Sequence, residues 1–531
     1  MQNTEVASIL EEYAALLELA GAHHYSARAY RRAAELIRSL PSPVLDLVRA
    51  GRARELRGIG PGIETRLREL ADRGEIAELE ELRRTTSPEL AALGRLYGFG
   101  AKLGSQIAVT LEIRTAEQLR AAVVDGRLQE VPGIGPRTEA KIRAALESVR
   151  PTTTRRLLLS TARSLSDRIA EGVGGVAAGD ARRWMDEPRS LAIVVASEEP
   201  HEVLSRFAAL DDIVLVEGEV GVTRDGVPVQ LVVASPTELG TALVRATGPT
   251  DYVASLGPLP AAPDEPAVYE LLGLPYLEPE LRDAPPPEPV PLVELGQIRG
   301  DLHCHTIWSD GRATVLELGS AARDRGYEYV AICDHTRGVR VVRGLDGDDL
   351  RRQAVEIAAA NEQLAPFRIL RGVECDILAD GSLDLPDDVL SGLEWVQLSL
   401  HAGQRTPRRE LTARVTEAMR HPAVRSLSHP TGRLIGHRPE NALDLEATIE
   451  TALETGVALE VNGLPSRLDL RGEHVRAAVE AGVPVVCSTD AHSVAGLDNM
   501  ALAVHTARRG RARAADVLNT QPLESLHVGP R

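Results

Sequence analysis

Residues 301–311 read Asp301-Leu302-His303-Cys304-His305-Thr306-Ile307-Trp308-Ser309-Asp310-Gly311. In a strand, residues two apart point the same way, so His303 and His305 aim at one point while Cys304 turns away from it. Working outward, later apolar runs end in similar residues. YVAICDH (329–335) ends in Asp334-His335, RILRGVE (368–374) in Glu374, WVQLSLH (395–401) in His401, VRSLSHP (424–430) in His429-Pro430, and VPVVCSTDAH (483–492) in Asp490-Ala491-His492. Amphipathic helical stretches separate these runs, and that alternation predicts a parallel α/β barrel. Strand-end residues of such a barrel converge on its C-terminal mouth. One strand-end histidine is usually a hydrogen-bonded core residue; His303, His305, Asp310, His335, Glu374, His401, His429, Asp490 and His492 together predict a metal centre.

Imidazole mixed with carboxylate suits Zn, Mn or Fe. The set exceeds the needs of one ion, so two or three divalent ions bridged by a carboxylate are expected, Zn or Mn first and Fe as a further candidate. Such clusters favour hydrolysis of phosphate esters: they neutralise the phosphate, lower the pKa of a bridging water and stabilise the leaving oxygen, with no protein nucleophile required. The four cysteines, Cys304, Cys333, Cys375 and Cys487, all lie in this C-terminal part. They read as reduced, packed thiols rather than a disulfide framework.

Upstream of the barrel, DAPPPEPVPLVELG (283–296) is an extended proline-rich linker. Residues from about 155 to 275 alternate short Val/Ile runs (LAIVVAS, DIVLVEG, VPVQLVVA) with helical pieces, an α+β texture. The stretch to about residue 150 is helix after helix. Within it, Gly58-Ile59-Gly60-Pro61-Gly62 and Gly133-Ile134-Gly135-Pro136-Arg137 share one pattern, each before an amphipathic helix, with a weaker copy at Gly98-Phe99-Gly100-Ala101-Lys102. The glycines permit positive φ and close backbone approach, and the apolar residue between them pins the hairpin to the core. Backbone N–H groups at the following helix start can then hold a phosphate without reading a base. A single copy would serve equally as a plain turn; repetition makes Gly58, Gly60, Gly62, Gly98, Gly100, Lys102, Gly133, Gly135 and Arg137 candidates for DNA-backbone contact. These segments resemble helix-hairpin-helix motifs. Further basic residues lie near them (Arg57, Arg66, Arg68, Lys141, Arg143), as does the basic and aromatic run Tyr25 to Arg32, which reads equally as a solvated helix face.

The 531 residues, 43% hydrophobic, exceed what one core can use, and exclude disorder as the main state. A net charge of -17 argues against a broad nucleic-acid-coating surface, so any DNA contact is local. No run of about 18 apolar residues occurs, and the N-terminal segment is acidic and amphipathic without a basic leader, so no membrane partner and a cytoplasmic location are expected.

The ligand order HxH, D, H, E, H, H, DxH resembles the PHP (polymerase and histidinol phosphatase) family. The resemblance implies that His303, His305, Glu374 and Asp490 hold one ion, Asp310, His335 and His492 a second, and Glu374, His401 and His429 a third, with Glu374 as the bridge. HPTGRLIGHR (429–438) and LEVNGLPSRLDL (459–470) look like the PHP domain of bacterial family X DNA polymerases. By that likeness Glu374 and Asp490 are the catalytic carboxylates, and Arg433, Arg438 and Arg467 are candidates for holding substrate phosphates, against a role as salt-bridged loop arginines.

The domain order matches that polymerase family along nearly the whole chain. The fold class expected is multidomain: an all-α helix-hairpin-helix region (1–80 with the first hairpin, 81–150 with the later ones), an α+β polymerase-like palm (151–282), a linker (283–298) and a distorted TIM-like PHP barrel (299–531). In the family's palm, carboxylates clamp Mg²⁺; here Ser190, Ala192 and Gln230 stand in their places. The implied function is a DNA-binding, metal-dependent phosphoesterase, a 3′-5′ exonuclease or 3′-end processor in repair acting on gapped or 3′-ended DNA, with an inactive polymerase domain. The alternatives are an active polymerase with exonuclease, a PHP phosphatase of small phosphomonoesters, and a non-catalytic DNA scaffold.

Overall fold

The computed structural model describes residues 3–20, 24–38, 44–56, 58–85, 93–94, 99–113, 115–147, 157–189, 191–223, 226–283, 289–339 and 342–526. The chain divides into two compact units. The first comprises residues 1–157, 161–182 and 188–276; the second comprises 277–531 together with Leu158–Ser160 and Arg183–Glu187. Those two short pieces belong by sequence order to the α+β region and by folding to the barrel. No described helix is long and apolar enough to cross a membrane.

The first unit begins with helices packed on an apolar core that includes Leu10, Tyr13, Ile37, Ile59 and Leu67. A second core gathers Ile107, Leu119, Leu128, Ile134 and Ile142. The two hairpins take one local form. Gly58 and Gly133 have φ of +109° and +89°, where a Cβ would be strained. Ile59 and Ile134, 5% and 6% exposed, plug the cores between the glycines. The next helices start at Pro61 and Pro136, where the missing proline N–H costs nothing. The same unit contains a five-stranded mixed sheet of β1 (Val176–Ala178), β2 (Leu191–Ala196), β3 (Ile213–Glu217), β4 (Val220–Thr223) and β5 (Pro228–Ala234), in the order β1-β2-β5-β4-β3.

The second unit is a seven-stranded parallel sheet in sequential order: β6 (Gly300–Cys304), β7 (Tyr329–Ile332), β8 (Arg368–Asp376), β9 (Trp395–Ser399), β10 (Val424–Leu427), β11 (Ala458–Asn462) and β12 (Val485–Ser488). Apart from Arg368 and Arg371 of β8, every residue of these strands is buried, as expected where helices cover one face and a core fills the other. A TIM barrel closes with eight strands; here seven leave a seam between β6 and β12. Side chains bridge it. The Asp301 carboxylate accepts from Thr489 N at 3.3 Å and Thr489 Oγ1 at 2.5 Å. Asn519 Nδ2 donates to Gly300 O and Cys487 O, each at 2.7 Å, while its Oδ1 accepts from Cys487 N at 3.1 Å. One buried amide thus satisfies backbone groups that a missing strand would have paired. The four cysteines are free and buried, and burial pushes all four thiols up, as packing groups rather than ligands.

Candidate metal centre

The strand ends converge. His303 lies on β6 and His305 just past it, Glu374 lies on β8, and His335, His401, His429, Asp490 and His492 follow β7, β9, β10 and β12. Among the described residues, three groups each bring their ligand atoms within 4.8 Å of one another: His305 with Asp310, His335 and His492; His303 with His305 and Asp490; and His335 with Glu374 and His401. Glu374 sits at the centre. Its Oε2 is 2.8 Å from His335 Nδ1, 3.6 Å from His303 Nε2 and 3.7 Å from His305 Nε2. Its Oε1 is 2.9 Å from His429 Nε2 and 3.7 Å from His401 Nε2. All nine expected ligands are brought together. The grouping differs in detail from the one the family implies, because His305 and His335 each belong to two sets and His429 reaches the cluster through Glu374.

The residues fit divalent ions. Imidazoles and carboxylates are the donors such ions take, and His305 Nδ1 is buried without a hydrogen-bond partner, 4.0 Å from Asp310 Oδ1. Burial alone would raise the Glu374 carboxyl, yet His401, His335 and His303 hold it well below the usual range. Asp490 is likewise held down against burial by His303, His305 and His492. His305 is pushed down to about 3 by burial and by its neighbours His492 and His335, which leaves it a neutral donor. Two ligands occupy unusual backbone: His429 at φ +24° and Asp490 at φ +53°. Non-glycine residues held in such conformations cluster at functional sites.

Around the ligands stands a set of orienting groups that sequence reasoning missed. His303 Nδ1 is 2.7 Å from Glu460 Oε1, and Gln397 Nε2 donates to the same oxygen at 3.0 Å. Glu460 Oε2 accepts from His429 N at 2.7 Å and Asn462 Nδ2 at 3.2 Å, and Asn462 Nδ2 also donates to Asp490 Oδ2 at 3.1 Å. Asp376 Oδ1 lies 3.2 Å from His401 Nδ1. Such carboxylate–histidine pairs fix ring orientation and ligand basicity. The signal was present: Glu460 and Asn462 are two apart in VALEVNG, on one face of β11. Asp334, grouped by sequence with the strand-end ligands, instead accepts from Thr306 N at 2.8 Å, Thr306 Oγ1 at 2.6 Å and Ser309 Oγ at 2.5 Å, which pins the loop carrying Asp310.

The arginines separate. Arg467 Nε is 3.7 Å from Asp490 Oδ2. Arg438 donates to Gly432 O at 2.7 Å, and burial and Arg467 lower its pKa against the opposing effect of Asp469, so two guanidinium groups stand near each other at the cluster's edge. Arg433 is turned elsewhere. It is 6% exposed and donates to Arg467 O, Leu468 O and Asp186 Oδ2 at 2.8, 2.6 and 2.7 Å.

In the first unit, Gly60 caps its helix at φ -85°, whereas Gly100 caps the helix of the third copy at φ +84°, so that copy departs from the other two. Gly135 precedes Pro136 as Gly60 does Pro61, Gly62 lies in the helix's first turn, and Arg137 is exposed. Arg66 is paired with Glu69 at 2.6 Å and also with Glu78; Arg143 is paired with Glu139 at 3.0 Å. Gly98, Arg57 and the side chain of Lys102 lie outside the described residues. On the sheet, Ala192 and Gln230 are direct partners across β2 and β5. Ser190 lies outside the described residues. Arg182, in the Gly-Asp-Ala-Arg turn, is held by Glu265 at 2.9 and 2.6 Å and by Thr247 at 3.0 Å.

Residues 1–76 match a family described as helix-hairpin-helix domain. The chain is 33% identical to the DNA polymerase/3′-5′ exonuclease PolX of Bacillus subtilis, over 99% of both chains. Its C-terminal part is similar to phosphatases. It is 31% identical to a probable phosphatase of Acetivibrio thermocellus, over 36% of this chain and 78% of that protein, and 30% identical to one of Caldanaerobacter subterraneus, over 36% and 75%.

Proposed function

The chain belongs to the family of the DNA polymerase/3′-5′ exonuclease PolX, and from that premise we propose that it is a DNA-binding, metal-dependent phosphoesterase that trims 3′ ends in cytoplasmic DNA repair and does not polymerise. The observation that carries this reading is the convergence of eight His and Asp side chains on a cluster centred on the buried carboxylate of Glu374. Bound Zn or Mn ions supply Lewis acidity toward the phosphate and water. The chain's own groups do the rest. Glu460 and Asn462 hold His303 and Asp490 in place, Asp376 orients His401, and Arg438 and Arg467 receive the phosphate. The two glycine hairpins grip the DNA backbone.

The palm-like sheet supports the negative half of the proposal. Two-metal nucleotidyl transfer needs anionic ligands on neighbouring strands, and the partnered positions hold Ala192 and Gln230. Arg182 is neutralised by Glu265 rather than left for a triphosphate. Likeness to probable phosphatases favours a second reading, hydrolysis of small phosphomonoesters. Incubation with labelled single-stranded, nicked, gapped and abasic DNA and with p-nitrophenyl phosphate, each with Mn²⁺ and with chelator, separates the two. Mn²⁺-dependent shortening from 3′ ends is expected; turnover of the monoester alone would overturn the DNA reading.

A further inference from the structure

Arg183–Glu187 lies in sequence between the Gly179–Arg182 helix and β2, yet it folds with the barrel. Four contacts, made by three residues, fix it there. The Trp184 indole stacks on the His505 imidazole with centroids 3.6 Å apart and planes within 4°. Arg183 donates from Nε to Asp283 at 3.1 Å, and its carbonyl accepts from Arg509 Nη1 at 2.8 Å. Asp186 Oδ2 accepts from Arg433 Nη1 at 2.7 Å. Trp184 holds φ +56°, a conformation a bulky side chain keeps only where its surroundings impose it.

Arg433 connects two loops of the metal centre. It stands four residues after His429, which touches Glu374, and it donates to the carbonyls of Arg467 and Leu468 in the loop that aims Arg467 at Asp490. At 6% exposure its guanidinium needs a counter-charge, since a buried unpaired charge is strongly disfavoured. Asp186 supplies it. Against the effect of burial, Arg433, Arg509 and Arg471 hold the Asp186 carboxyl below its ordinary range, so it is ionised across the working pH.

We propose that Asp186 is a positioning residue for phosphoester hydrolysis: by neutralising Arg433 it locks the His429–Arg438 loop to the Arg467 loop and so sets Arg467 and Arg438 against the substrate phosphate. This rests on the barrel site being the hydrolytic site. It also gives the segment between the polymerase-like elements a task unrelated to polymerisation.

The test uses the full chain loaded with Mn²⁺, and Asp186→Asn, Asp186→Ala, Asp186→Glu, Arg433→Ala and the Asp186→Ala/Arg433→Ala double variant. Activity is read on a 3′-labelled oligonucleotide and on bis(p-nitrophenyl) phosphate, with bound metal and melting temperature measured alongside. Asp186→Asn and Asp186→Ala are expected to lower kcat about tenfold at temperatures well below melting, with metal content unchanged and the melting temperature lowered because Arg433 loses its counter-charge. Asp186→Glu should recover most of the loss, and the double variant should be no worse than Arg433→Ala alone. Wild-type kcat in Asp186→Ala, a loss that appears only with lowered metal content, or a double variant worse than Arg433→Ala overturns the proposal. Because the diester reports on the site without DNA, inactivity toward the oligonucleotide would refute the DNA reading and leave this test standing.

Discussion

Glu374 is buried among imidazoles that each approach one of its two oxygens, so no single neighbour can replace it. Glu374→Ala and Asp490→Ala should abolish hydrolysis while leaving DNA affinity nearly unchanged, as read by a labelled-end assay and a fluorescence anisotropy titration. Glu460→Gln tests the orienting shell. It keeps the shape but removes the charge facing His303, and should weaken metal affinity by about 10–100-fold in a competitive chelator titration; unchanged affinity would show that Glu460 only packs. The clustering of the nine candidate ligands was legible because alternation and strand ends are local rules. Glu460 went unread because its run carried no histidine. The engagement of Arg433 was not legible at all, since its partner Asp186 lies 247 residues away. Farther from the centre, Glu280 pairs with His505 and Arg508, each at 2.7 Å. Burial would raise its carboxyl, but these partners lower it from 4.5 to about 2. A lowered carboxyl stabilises the fold above the unfolded value and loses that effect as pH falls through the folded one, here worth about 3 kcal/mol. Urea unfolding of wild type and Glu280→Gln should differ by about that amount at pH 6, and the gap should close between pH 4.5 and pH 2.

At the scale of elements, the hairpins were legible from composition alone: a G-h-G turn before a proline-started helix dictates both the positive φ and the buried isoleucine. The third copy has glycines without the same cap, a difference of backbone angle that residue type does not encode. Gly133→Ala should destabilise the first unit by about 1–2 kcal/mol, because a Cβ at φ +89° is strained, and should weaken DNA binding with little sequence preference. Equal affinity in that variant, measured by anisotropy across a salt series, would remove the second hairpin from the DNA surface. Barrel strands were equally clear, but their number was not. The seam at β6 and β12 is bridged by Asp301 and Asn519, and no local pattern marks Asn519, far down the C-terminal segment, as the residue that pairs with Gly300 and Cys487.

For the whole molecule, the proposed function assigns DNA binding to the hairpin region and hydrolysis to the barrel, while the five-stranded sheet holds Ala192 and Gln230 at partnered positions. Sequence order predicted a boundary near residue 282, but the barrel also takes in Arg183–Glu187, because Trp184 and Asp186 have partners there. Primer extension on gapped DNA with all four dNTPs, in a Glu374→Ala background that cannot degrade the product, should yield no templated addition. On the proposed function, 3′-end hydrolysis is performed at Glu374 with divalent ions. Its most direct measurement is release of the terminal nucleotide from 3′-labelled DNA by wild type and Glu374→Gln, before chelation, after chelation and after Mn²⁺ is restored. Wild type should release the nucleotide, lose that activity on chelation and regain it with Mn²⁺, and Glu374→Gln should release none under any condition; release by Glu374→Gln, or by chelated wild type, would place hydrolysis elsewhere.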